Sequence, residues 1–106
     1  MPTPHSPSSA IRKALRKLGA DVRDARRRRR LPMALVADRA FTSRATLQRI
    51  EQGDPSVGMG IYASVLNALG LLDGLTNLAD IASDPMGRTL EEQSLPKRVH
   101  LPKAGN

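Results

Sequence analysis

Residues 33–53, MALVADRAFTSRATLQRIEQG, limit what this chain can become more than any other stretch. They read as two short helices joined by a tight turn. The first spans residues 32–40. Pro32 suits a first helical position, because its missing N–H would be unpaired there anyway. Ala37 is small where two helices must cross closely. The turn is Phe41-Thr42, and Ser43 can cap the next helix by accepting from a free backbone N–H. That helix, residues 44–52, puts Leu47 and Ile50 on its inner side. Arg44, Ala45, Gln48, Arg49 and Gln52 point outward. Gly53 supplies the left-handed residue that ends it. A short helix with Arg and Gln outward suits the major groove, since Arg matches guanine and Gln matches adenine.

The segment LVADRAFTSRATLQRIEQGDPSV resembles the helix-turn-helix of Xre-type repressors. Its continuation, GDPSVGMGIYASVLNALGLLDGL, is similar to the HipB-type antitoxins within that group. The likeness covers about residues 18–80. It implies an all-α, five-helix, lambda-repressor-like DNA-binding domain, here followed by a short C-terminal helix and tail. It also implies a dimeric repressor of its own operon, with a HipA-like Ser/Thr kinase toxin as partner. Helix facing and the matching positions together give Arg44, Ala45, Gln48 and Arg49 as base readers. Ser43, Gln52 and some of Arg27, Arg28, Arg29 and Arg30 become phosphate contacts. The resemblance further implies an ion pair between Arg26, late in the first helix, and Glu51, at the end of the reading helix. Two positions depart from the family pattern. Met33 stands where a phosphate-touching Gln is common, and Phe41 stands where a turn Gly is common.

Charge agrees with a polyanion partner. Residues 1–53 hold 13 Lys/Arg against 4 Asp/Glu, within a chain of net charge +7. Residues 54–94 hold 1 against 6, and residues 95–106 hold 3 against none. The Arg26–Arg30 run is the densest cluster. It reads either as a solvated helix end complementing the dipole or as a set of phosphate contacts.

A length of 106 residues suggests one domain with a modest core. At 2% aromatic residues that core must be aliphatic. Residues 1–9 are Pro/Ser-rich and read as a disordered lead-in. A long helix follows over residues 10–30, with Ile11, Leu15, Leu18, Val22 and Ala25 on one stripe. Gly19 inside it costs about 1 kcal/mol against Ala, or admits another backbone. A fourth helix is expected over residues 59–69, with Ile61, Val65, Leu66 and Leu69 inward. A fifth is expected over residues 73–81, with Asp73 as cap and Leu75, Leu78 and Ala79 inward. The stretch 61–79 is ordinary core, or else Tyr62, Leu71, Leu72 and Leu75 also cover a subunit interface. The DNA-binding domain is placed at residues 10–82. Residues 83–106 form a short helix from Asp84-Pro85 to about Gln93, then a basic tail. Within the tail, Val99 and Leu101 alternate with Arg98 and His100 between two prolines. That pattern fits a short edge strand that would pair across a dimer, or no structure at all.

Other chemistries find no support. There is no Cys, so no disulfide or thiolate site is available. His5 and His100 lie far apart in the two tails, with no acidic residue at ligand spacing, so no metal is expected. Gly58 and Gly60 follow no strand, which argues against a phosphate loop and a nucleotide cofactor. Asp21 and Asp24 are flanked by arginines and read as solvated charges. No enzyme is expected. No apolar run is long enough for a membrane span, and no signal pattern opens the chain, so the cytoplasm is the expected place. A stand-alone Xre-type regulator without a toxin is the alternative. A pure protein-interaction module would leave Arg44, Gln48 and Arg49 idle.

Overall fold

The computed structural model describes residues 6–99, with side chains to residue 94. It divides into two compact units, residues 1–72 and 73–106. The first contains α1 (Ser9–Arg28), α2 (Met33–Arg39), α3 (Arg44–Glu51) and α4 (Met59–Ala68). α5 (Leu72–Thr76) begins at the boundary, and a 3-10 turn (Ile81–Ser83) and α6 (Pro85–Val99) follow. Among the described residues there is no strand.

Local chemistry sets the ends of these helices. Ser8 caps α1 by accepting from Ile11 N–H. α1 ends in a left-handed Arg30 (φ 53°), and Leu31 N–H reaches back to Arg26 C=O at 3.1 Å. Pro32 is the N-cap of α2 rather than its first residue; its carbonyl accepts from Leu35 and Val36 N–H. Ser43 caps α3 by accepting from Thr46 N–H at 3.0 Å. Gly53 follows α3 at φ 75°.

The core of the first unit is aliphatic. Val22, Val36, Leu47, Ile50 and Val65 are fully buried, joined by Ala25, Ala37, Ala40, Val57 and Leu69. Two expectations for it are corrected. Ile11 is exposed, and the buried part of α1 begins only at Gly19. On α4 the inward face starts at Tyr62, one residue after Ile61. The phenol donates to Asp54 C=O at 2.8 Å, and that bond turns Tyr62, Val65 and Leu69 inward while Ile61 remains exposed. With Tyr62 only 5% exposed, little of it is left for a second subunit.

α1 and α3 meet backbone to backbone. A Cβ on Gly19 would lie 2.5 Å from Ile50 O and 2.7 Å from Gly53 N. One on Gly53 would lie 2.5 Å from Leu15 O and 2.6 Å from Arg16 N. Gly19 is therefore there for contact, and it takes two glycines to bring these helices so close.

The second unit has no fully buried side chain among its described residues; Leu75 and Gly87 are half-buried. The helix expected over residues 73–81 stops at Thr76. Gly74 weakens it, and Asp80 turns its carboxylate onto Ala82 N–H, a local bond that competes with helix continuation. Asp73 lies inside α5, and Leu78 and Ala79 are exposed rather than inward. Asp84 does cap α6, accepting from Gly87 N–H at 2.9 Å behind Pro85. α6 then continues beyond Gln93 to Val99. The edge strand expected around Val99 is thus replaced by helix in the single chain. A lone strand leaves its backbone groups unpaired, whereas a helix satisfies them internally. Leu101 and the end of the tail lie outside the described residues.

Candidate nucleic-acid interface

α3 is held from behind by groups that face inward. Its Leu47 and Ile50 are buried against the core, and its C-terminal end is tied to α1. Arg26 Nε donates to Glu51 Oε2 at 2.7 Å and Arg26 Nη2 to Oε1 at 3.1 Å. The two side chains are only 11% and 8% exposed. The remaining Arg26 nitrogen donates to Leu31 C=O at 3.2 Å. The Glu51 carboxylate raises the Arg26 pKa above its ordinary value, through the hydrogen bond first and charge attraction second, against the opposing pull of burial.

The outer face is built differently. Arg44, Ala45, Gln48 and Gln52 are all exposed. Among the described residues, no hydrogen bond or ion pair engages the side chains of Arg44, Gln48 or Gln52. Arg44 and Gln48 stand one helical turn apart, so they share a face beside Ala45. Ser43 is occupied at the helix N-terminus, where its hydroxyl also donates to Thr46 Oγ1 at 3.0 Å.

Arg49 differs from its neighbours on that face. It donates from Nε to Asp54 Oδ2 at 2.9 Å and from Nη2 to Ser56 Oγ at 2.7 Å. Asp54 Oδ1 accepts from Ser56 N–H and Oγ–H. This knot closes the loop after Gly53, where Asp54-Pro55-Ser56 reads as a turn from sequence alone, and the Arg49 side chain is the part that sequence spacing does not show. As a base reader, Arg49 would first have to leave Asp54 and Ser56. The pair is half-exposed, so that exchange costs little.

The hydrogen bonds from Ser56, with help from Arg49, lower the Asp54 pKa from 3.8 to about 2. A carboxyl whose folded pKa is depressed stabilises above its unfolded value and loses that contribution as pH falls through its folded one. Acid titration of the parent should therefore show stability lost between about pH 4 and pH 2. Asp54→Asn should flatten that limb, as followed by circular dichroism. A limb of unchanged steepness would show that the knot does not couple to folding.

The arginine run is divided among three jobs. Arg26 pairs with Glu51. Arg29 bends back and donates from Nη1 to Ala25 C=O at 2.9 Å, capping its own helix. Arg27, Arg28 and Arg30 are exposed, with side chains that engage no partner among the described residues. The run therefore keeps three uncommitted cations next to α2.

Among the described residues no group of three His, Asp or Glu could hold a metal, and no helix is long and apolar enough to cross a membrane.

A core that packs α3 behind α2, with an uncommitted polar outer face, defines a helix-turn-helix protein. A helix-turn-helix domain family matches residues 17–79, more than half of the chain, and the chain belongs to that family. No curated protein and no solved structure matches it.

Proposed function

We propose that this chain is a sequence-specific DNA-binding repressor and not an enzyme. The observation that carries the reading is the uncommitted Arg44–Gln48 face of α3, together with three exposed arginines at and just after the end of α1 whose side chains engage no partner among the described residues. Arg44, Ala45 and Gln48 read base edges. Ser43, Gln52, Arg27, Arg28 and Arg30 lie against phosphates, and Arg49 is recruited only when released from Asp54.

One reading helix spans too few base pairs for selectivity in a genome. The working form is then a homodimer on a near-palindromic operator, its two helices about 34 Å apart. Exposed Leu71 and Leu72 in the first unit, and separately exposed Leu78, Ile81, Met86 and Leu90 in the second, offer apolar area that supports such pairing. A role as antitoxin to a HipA-like kinase in the cytoplasm rests on the sequence likeness over about residues 53–75. Co-purification with the product of a neighbouring kinase-like gene tests it; failure to co-purify favours the stand-alone regulator.

The experiment for DNA reading compares variants on a selected duplex and on random DNA. Arg44→Ala should cost about 1–3 kcal/mol on the selected site and relax preference at one base pair. Arg28→Ala should weaken binding to all sequences alike and flatten the salt slope by about one unit. Equal loss on both DNAs for Arg44→Ala would remove its base-reading role.

A further inference from the structure

Four helices of the chain are followed by a residue in the left-handed region: Arg30 (φ 53°), Phe41 (φ 57°), Gly53 (φ 75°) and Gly70 (φ 76°). Glycine is the usual occupant, because a side chain there is strained. At Gly53 it is also obligatory, since a Cβ would strike α1. At Gly70 a Cβ would meet nothing within 4 Å, and glycine is used all the same. The two exceptions bracket α2, and Phe41 stands in the turn of the helix-turn-helix itself.

Phe41 is the more costly of the two. Its side chain contributes nothing visible to the fold, being 95% exposed. A large apolar ring left in water forgoes the stabilisation that burial would bring, and its backbone is strained as well. Strain of this kind is retained where the side chain has work outside the fold. Phe41 lies two residues before the Ser43 cap and three before Arg44. The chain between Phe41 and Arg44 can span about 10 Å at most. In helix-turn-helix proteins the N-terminal end of the reading helix is the part that meets base edges. Exposed Arg39 and Arg44 stand on either side of Phe41, against the single Asp38, so the ring sits in a field that favours a polyanion.

We infer that Phe41 is a further DNA-contacting residue, packing its ring on an apolar group at the edge of the half-site. DNA offers two such groups there, the thymine C5-methyl and the deoxyribose. Arg30 is the polar counterpart, holding a phosphate from the other end of α2. The assignment rests on the DNA-reading function proposed above.

The test uses the full chain and a duplex that the parent enriches from a random pool. Phe41→Gly and Arg30→Gly should each raise the melting temperature, by about 5 °C, because strain is removed. Each should nevertheless bind the enriched duplex more weakly, Phe41→Gly by about tenfold. The Phe41→Gly deficit should persist at high salt, whereas the Arg30→Gly deficit should shrink. Phe41→Asn, which tolerates the backbone but lacks the ring, should bind as poorly as Phe41→Gly, and Phe41→Tyr should retain affinity. Replacing single thymines by uracil separates the two apolar groups. If one replacement reproduces the deficit in the parent and adds nothing in Phe41→Gly, the methyl is the contact; if none does, it is the sugar. Phe41→Gly binding as tightly as the parent, while Arg44→Ala binds worse, overturns the assignment and leaves the reading function standing. A Phe41→Gly that melts below the parent overturns the strain argument. A parent that enriches no duplex overturns both.

Discussion

Gly53→Ala should melt about 15 °C below the parent. Two costs combine. The residue sits at φ 75°, where an alanine is strained by about 1 kcal/mol. Its new Cβ would also lie 2.5–2.6 Å from Leu15 O, Arg16 Cα and Arg16 N. All three are backbone atoms inside a helix, so no side chain can swing aside. Overpacking of that kind costs about 2 kcal/mol more. A total near 3 kcal/mol, at about 5 °C per kcal/mol for a domain of this size, gives the shift. Gly70→Ala is the control. It has almost the same φ but open space around its Cβ, so it carries only the first cost. If Gly53→Ala and Gly70→Ala melt together, the close approach of α1 to α3 is wrong. Gly19→Ala adds an independent reading. Gly-to-Ala inside a helix ordinarily stabilises by about 1 kcal/mol; here the contact with Ile50 O makes it destabilise.

Glu51→Gln carries the second large effect. It leaves the Arg26 guanidinium buried beside a neutral amide. Breaking a buried pair costs about 3–5 kcal/mol. The lower figure applies, because the two side chains keep 11% and 8% exposure and Arg26 retains its bond to Leu31 C=O. A drop of about 15 °C follows again. The loss belongs to the stranded charge more than to the pair itself. An Arg26→Met/Glu51→Leu double variant should therefore recover most of it. Should Glu51→Gln melt with the parent, the pair does not hold α3 in place.

The parts of this fold that were legible in the sequence are those set by local chemistry. Ser43, Gly53 and the Leu47–Ile50 spacing fix α3 almost alone, and Asp84-Pro85 fixes the start of α6. What was not legible depends on partners distant in the chain. Whether Ile61 or Tyr62 turns inward is decided by a phenol reaching Asp54 C=O, which periodicity cannot show. α5 looked longer than it is because Leu75, Leu78 and Ala79 keep helical spacing, yet Gly74 and Asp80 act against that pattern. The fate of residues 95–99 turned on whether an edge strand has a neighbour, which one sequence does not state. In the site, outward facing was readable for Arg44 and Gln48. The different fates of Arg26, Arg29 and Arg49 were not all readable, because capping an α1 carbonyl or knotting the next loop leaves no periodic trace.

The division of α3 into a braced inner side and an unengaged outer side has an evolutionary consequence. Leu47, Ile50 and Glu51 carry the attachment, while the Arg44, Ala45 and Gln48 side chains support nothing else in the fold. Under the proposed base-reading role, substitutions at these three positions redirect the protein to a new operator while leaving the buried attachment of α3 intact. Regulators duplicated from such an ancestor can diverge in target by a few steps, each leaving a folded protein. Arg49 is the exception, since changing it would also free the Asp54 loop, and a lineage that retargets through α3 should alter it last.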